Sequence, residues 1–139
     1  MKLRVVWVGK TKNPQMAKLC ADYVERIEHF LPLEFAEVKE GRILAALDPS
    51  DRVLALDPEG KSWTSEQFAR FVEQHMTSDP RRLAFVIGDY GGLSDEVKKR
   101  ADVQWSLSPL TFTHDMTRVL LLEQIYRALS IIRNIPYSK

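Results

Sequence analysis

Cysteine is almost absent from this chain. Cys20 stands alone among 139 residues, so no internal disulfide can form, and the expected compartment is the reducing cytoplasm. Long apolar runs are missing as well. None approaches the roughly 20 residues a bilayer span needs, which excludes a membrane segment. The opening Met1-Lys-Leu-Arg-Val-Val-Trp-Val-Gly9 lacks an extended apolar region and a small-residue cleavage site, so it does not read as a signal peptide. An excess of one charge is lacking too. With 20 basic and 19 acidic residues the net charge is +1, which argues against a protein that coats naked nucleic acid by neutralising phosphates. A local patch recognising one folded RNA stays open. The three histidines, His29, His75 and His114, have no two at ligand spacing, and no metal site is expected.

What is present is a soluble globular composition, 45% hydrophobic and 28% charged, in a length that suits one domain over 1–139. Apolar runs predict strands at Leu3–Val8, Leu33–Val38, Arg52–Leu56, Leu83–Ile87 and Gln104–Leu107. Helical periodicity predicts helices over 14–30, with Pro14 in the first turn, and after Thr64, which forms a capping box with Gln67. A further helix is expected after Ser94, whose acids precede its bases, and a long one runs to Asn134. Between Glu40 and Ser50 only Ile43–Leu47 hints at a helix. The turn Asp57-Pro-Glu-Gly60 is expected to end the third strand. Strands alternating with helices predict an α/β fold, a parallel-type sheet flanked by helices.

In such sheets ligands bind beyond the carboxyl ends of the strands. Three loops leave those ends: Leu56-Asp57-Pro58, Gly88 to Gly92, and Leu107 to Thr113. The glycine loop matches neither a dinucleotide fingerprint nor a P-loop. The third loop, with Ser108, Pro109, Leu110, Thr111 and Phe112, offers backbone polar groups and apolar walls, which suits an adenosine-like ligand better than a phosphate chain. His114 opens the last helix, where a capping and a functional role both stand. Arg118 falls in that helix's apolar half, either snorkelling to water or contacting an anion or RNA at the pocket rim. Cys20 is expected in the core, His29 on the surface, and His75 partly buried at a helix end. The last helix has one narrow polar stripe, Glu123, Arg127, Ser130 and Asn134, and must bury two faces, one on its own sheet and one on a second subunit.

The blocks Trp105-Ser-Leu-Ser, Thr111-Phe-Thr-His114, Arg118-Val-Leu-Leu-Leu-Glu-Gln-Ile-Tyr-Arg-Ala128 and Pro136-Tyr137 resemble the ribosomal large subunit RNA methyltransferase H family of the SPOUT superfamily. Met1 to Lys10, Leu54-Ala-Leu-Asp57, Gly60-Lys-Ser-Trp63, Phe85-Val-Ile-Gly88 and Gly92-Leu-Ser94 agree with it. The resemblance implies a C-terminal trefoil knot and a homodimer. It also implies S-adenosyl-L-methionine as cofactor and methylation of N3 of a pseudouridine in large-subunit rRNA. Free rRNA and an assembled ribosome both stay open as substrate, and the near-neutral charge leans toward the assembled ribosome. It carries the cofactor site onto Leu56, Gly88, Leu107, Ser108, Pro109, Leu110, Thr111 and Phe112. Arg118, Tyr137 and His114 are the catalytic candidates. The chain departs from the family pattern in three places. It is short between Val38 and Arg52, reads Gly88-Asp-Tyr-Gly-Gly92 after the fourth strand, and ends Pro136-Tyr-Ser-Lys139 where the family has a tail histidine. The altered glycine loop and Ser138 leave open a donor-binding RNA module that no longer transfers methyl groups, and strand alternation by itself leaves open a flavodoxin-like nucleotide-binding domain.

Overall fold

The computed structural model describes residues 1–89 and 91–137; Tyr90, Ser138 and Lys139 lie outside it. Ten elements follow one another: β1 (Leu3–Val8), α1 (Pro14–Glu28), β2 (Leu33–Val38), a single 3-10 turn (Leu44–Ala46), β3 (Arg52–Ser62), α2 (Ser65–Ser78), β4 (Leu83–Ile87), α3 (Asp95–Arg100), β5 (Val103–Ser106) and α4 (His114–Ile132). Pro14 opens α1 as expected, Thr64 and Gln67 form a reciprocal capping box on α2, and Ser94 caps α3; the structure adds an N-cap at Asn13.

The strands form one parallel sheet in the order β2-β1-β4-β3-β5. A flavodoxin-like sheet would run 2-1-3-4-5, so the interchange of β3 and β4 removes that alternative. Because strand side chains alternate, the sheet has two cores. Leu3, Val5, Trp7, Leu54 and Phe85 face the layer of α1, α2 and α4, while Val6, Val53, Ala55 and Val86 face α3 and the 3-10 segment. The thin cover on the second face falls where the chain is short, between Val38 and Arg52.

The third strand does not end at its turn. Leu56 and Lys61 both pair with Trp105, so Asp57 to Gly60 bulge outward and pairing with β5 then resumes. A Cβ on Gly60 would stand 2.6 Å from the Gln104 backbone, which is why glycine sits where the chain returns to the sheet.

Helix α4 lies between α1 and α2, and these neighbours cover much of what a second subunit had been invoked to bury. Leu122 is fully buried and Leu129 nearly so, inside the protomer's own core. The polar stripe is satisfied internally: Arg127 pairs with Glu123 at 3.0 Å, and the buried Ser130 hydroxyl donates to the Tyr126 carbonyl. The helix stops at Ile132 rather than Asn134. Asn134 takes a left-handed φ of 54°, its N–H bonds Ile131 O, and the Ile135 N–H bonds Ser130 O. This is a Schellman closure followed by Pro136, and it turns the tail back along α4.

Candidate active site

The carboxyl ends of β3, β4 and β5 surround a cleft of about 210 Å³. Leu56, Ile87, Leu107, Leu110 and Phe112 supply its apolar walls, and Ser108, Thr111 and Thr117 its hydroxyls. Seven of the eight residues expected at the cofactor line it; Pro109 sits in the same loop, exposed, and is not a wall residue. The loop is shaped locally by the Ser108 hydroxyl accepting from Leu110 N at 3.0 Å, and it ends at Thr113, which caps α4. Two wall residues carry negative charge, Asp57 and Asp89, and among the described residues no lysine or arginine lines the cleft. That donor set disfavours a phosphate and suits a ligand that is apolar in body and cationic at one end.

Gly88 plays a different part from the one its sequence position suggests. A Cβ there would lie 2.7 Å from the Gly92 backbone and 2.9 Å from Leu93 N, so the close approach it permits is of the loop to itself. The Gly92 N–H donates to Asp89 O at 2.7 Å and closes this turn. A larger side chain would therefore displace the loop rather than simply fill the cleft.

The three catalytic candidates separate. His114 is in the cleft wall, at the first position of α4. Arg118 is 2% exposed and neither snorkels nor reaches outward. Its guanidinium donates to Val8 O at 2.6 Å and Thr11 Oγ1 at 3.1 Å, and stacks 4.8 Å over the Trp7 ring. It ties α4 to the end of β1. Tyr137 is not at the cleft. Its hydroxyl is 3.1 Å from the Tyr23 hydroxyl, its ring meets Tyr126 edge-on at 4.9 Å, and the Arg127 guanidinium lies 4.7 Å over it. Burial, then the hydrogen bond to Tyr23 and the nearby Glu123, push its phenol well above the usual range. Those neighbours on α4 lie roughly two to three turns beyond Thr117 of the cleft wall. The remaining singled-out residues are structural. Cys20 is buried, with its thiol pushed up to about 11 mainly by that burial, His29 is exposed, and His75 is wholly rather than partly buried.

Sequence reasoning missed Thr117 and Asp115. Thr117 lies one helical turn after Thr113, a spacing that could have placed it on the cleft. Asp115 accepts from the backbone N–H groups of Lys12 at 3.2 Å and Asn13 at 2.8 Å, a contact across more than 100 residues that no local pattern announces. No group of acids, histidines and cysteines suited to a metal ion occurs among the described residues, nor any helix long and apolar enough to cross a membrane.

A family model described as "Predicted SPOUT methyltransferase" matches residues 1–138. The ribosomal RNA large subunit methyltransferase H of Trichlorobacter lovleyi is 43% identical over 151 aligned residues, covering 99% of each protein. That of Coprothermobacter proteolyticus is 40% identical over 139 residues and 100% of each, so the short form has a counterpart. Among solved structures, a probable methylase family protein from Haemophilus influenzae superimposes with a TM-score of 0.65 at 14% identity, covering 99% of this chain and 70% of that one. The SpoU methyltransferase AviRb of Streptomyces viridochromogenes, solved in complex with the cofactor AdoMet, gives 0.52 at 12% identity, covering 96% and 58%. At such identities the structural likeness speaks for the fold alone. Sequence identity over the whole length decides the rest: the chain belongs to the ribosomal RNA large subunit methyltransferase H family of SPOUT methyltransferases.

Proposed function

We propose that this chain, folded as a single domain, transfers a methyl group from S-adenosyl-L-methionine to N3 of a pseudouridine in large-subunit rRNA, acting on an assembled large subunit in the cytoplasm. The observation that carries the cofactor assignment is the cleft's chemistry: apolar walls, loop backbone polar groups, two carboxylates and no lysine or arginine among the described residues. Leu56, Gly88 and the Leu107–Phe112 loop, Pro109 included as part of its backbone, would hold the adenosyl portion. Asp57 and Asp89 would face the cationic end. When bound, S-adenosyl-L-methionine supplies an electrophilic methyl group on a sulfonium.

The protein's task is then mostly positioning. N3 of the base loses its proton, its lone pair forms the new N–CH3 bond, and the S–CH3 electron pair stays on sulfur. In this reading His114, in the cleft wall, takes the N3 proton on an imidazole nitrogen. Arg118 serves by fixing the β1 end against α4. A stacking role for Tyr137 requires its ring to leave Tyr23 and Tyr126. The same reading includes the C-terminal trefoil knot and a homodimer. Exposed apolar side chains at Leu19 on α1, Ile131 on α4 and Ile135 in the tail support the dimer, which sedimentation at micromolar concentration checks.

The deciding experiment is mass spectrometry of large-subunit rRNA from a strain lacking the gene. One pseudouridine should lose a methyl group, the wild-type gene should restore it, and Leu107→Asp, which puts a charge on the apolar wall, should not. If the purified protein binds both donor and large subunits yet transfers nothing in a single turnover, the reading as a binding module replaces this one.

A further inference from the structure

Collinear displacement at a methyl group needs an acceptor space that opens directly onto the donor cleft, with reacting atoms about 3–3.5 Å apart. Three described clefts share wall residues with the donor cleft. One, behind Leu107 and Phe112, is walled by Trp63, Phe68 and Trp105 and presents no charged group. A second, shared through Asp89 and Gly92, is lined by Glu40, Asp89, Asp95 and Glu96 and by no basic residue among those described. The third, about 270 Å³, lies between the Gly9–Lys12 loop and the first turn of α4, and it joins the donor cleft at Asp89 and His114. It alone of the three carries cations, from Lys10, Lys12 and Arg118.

Charge separates these spaces. A net charge of +1 gives the whole molecule no long-range pull on RNA, so phosphate contact must come from a local group. The aromatic cleft has no such group, and the acidic one repels phosphate. The third sets Lys10, Lys12 and Arg118 beside Glu40, Asp89 and Asp115, so it alone offers a cation to a phosphate. Lys10 is exposed on the loop, while Asp89 stands where the two clefts meet.

The loop that carries Lys10 is held from both sides. Asp115 accepts from Lys12 N and Asn13 N, and Arg118 donates to Val8 O and Thr11 Oγ1. Three hydrogen bonds to the backbone and one to the Thr11 hydroxyl therefore fix the chain on either side of Lys10, with both anchors one turn apart on α4. A recognition loop pinned in this way is preorganised, so little ordering remains for the moment of binding.

We propose that the cleft between the Gly9–Lys12 loop and the N-terminal turn of α4 receives the acceptor nucleotide of the RNA, with Lys10 on its backbone phosphate and its imide edge at Asp89 and His114. The assignment rests on the methyltransferase reading and adds to it where the RNA enters. Arg118 is here a positioning residue: buried, it acts on the RNA through the loop.

Binding of the intact protein to isolated bacterial large ribosomal subunits, with S-adenosylhomocysteine in the donor cleft, tests the assignment without requiring turnover. Lys10→Glu should weaken binding about tenfold and lower the slope of log affinity against log salt by about one. Lys98→Glu makes the same charge change on α3 and should leave affinity and slope unchanged. Arg118→Met should reproduce the Lys10→Glu loss, with Arg118→Lys recovering part of it, and S-adenosylhomocysteine affinity should be unaltered in all four variants. Wild-type affinity in Lys10→Glu, an equal loss in Lys98→Glu, or no binding by the wild type overturns the proposal. A wild type that binds but never transfers a methyl group sinks the methyltransferase reading and leaves this comparison standing.

Discussion

At the amino ends of the strands, Arg82 grips Asp51 with two hydrogen bonds of 2.7 and 2.8 Å and reaches Glu34 at 2.7 Å, while Lys2 and Arg4 close on the same Glu34. Arg100 adds the Asp51 carbonyl, and Asp102 accepts from Val53 N. At the carboxyl ends of the same strands, Asp57 and Asp89 line an open cleft beside apolar walls and a loop that only glycine lets close. One sheet thus has an end where opposite charges are paired off and an end where negative charge faces a cavity. The difference teaches where each kind of cost falls. Burying Asp51 is tolerable only because Arg82 compensates it, and the two are committed to each other. The other end places carboxylates along the wall of a cleft, and its stability must come from elsewhere in the fold.

The comparison breaks most sharply at Arg82. Arg82→Met leaves Asp51, 2% exposed, without its partner, and should destabilise the protein by about 3 kcal/mol in chemical denaturation. Affinity of the folded fraction for S-adenosyl-L-methionine should not change. A matching loss of donor affinity would show that the two ends are coupled.

Gly88→Val attacks the opposite end. Its side chain would meet the Gly92 and Leu93 backbone, so the loop must move. Calorimetry should show donor affinity falling at least about thirtyfold, equivalent to ~2 kcal/mol, with a smaller loss of stability. Unchanged donor affinity would remove this loop from the site.

Acid provides the mildest probe, and it acts first on the paired end. His75 is fully buried; its Nε2–H donates to Arg81 O at 2.7 Å, so Nδ1 is the atom that accepts from Arg52. Burial first of all, partly opposed by the Arg81 carbonyl and Asp79, holds its pKa below 6.5. A base whose folded pKa is depressed binds its proton more readily when unfolded. Its contribution is therefore complete above pH 6.5 and is lost as pH falls below it. Glu34, held low by its hydrogen bond with Lys2, and Asp51, where burial is outweighed by the Arg82 hydrogen bonds, the Asp48 N–H and the Arg82 and Arg100 charges together, contribute above their unfolded values and fail at lower pH. Thermal melts should show a first shallow loss below pH 6.5 that His75→Gln removes, and then a steeper one in the carboxylate range.

Much of this molecule was legible along the chain because the signals are local. Five strands, four helices, the caps at Thr64 and Ser94, and the three loops that form the cleft follow from apolar period, capping chemistry and the polarity of a parallel sheet. Family membership was readable in the C-terminal block for the same reason, since a run of specified residues is itself a local signal. Tertiary structure alone decided what depends on distant partners. It carried β3 past its turn to pair again with β5, and it gave much of both flanks of α4 to the chain's own α1 and α2 while leaving Ile131 exposed. It buried Arg118 against Val8 and Thr11, and it folded Tyr137 onto Tyr23 across 114 residues. Apolar periodicity states that a face must be covered but not by which element. A charged side chain in an apolar stripe states that it needs partners but not where they are, because those partners are set by strand order and helix packing.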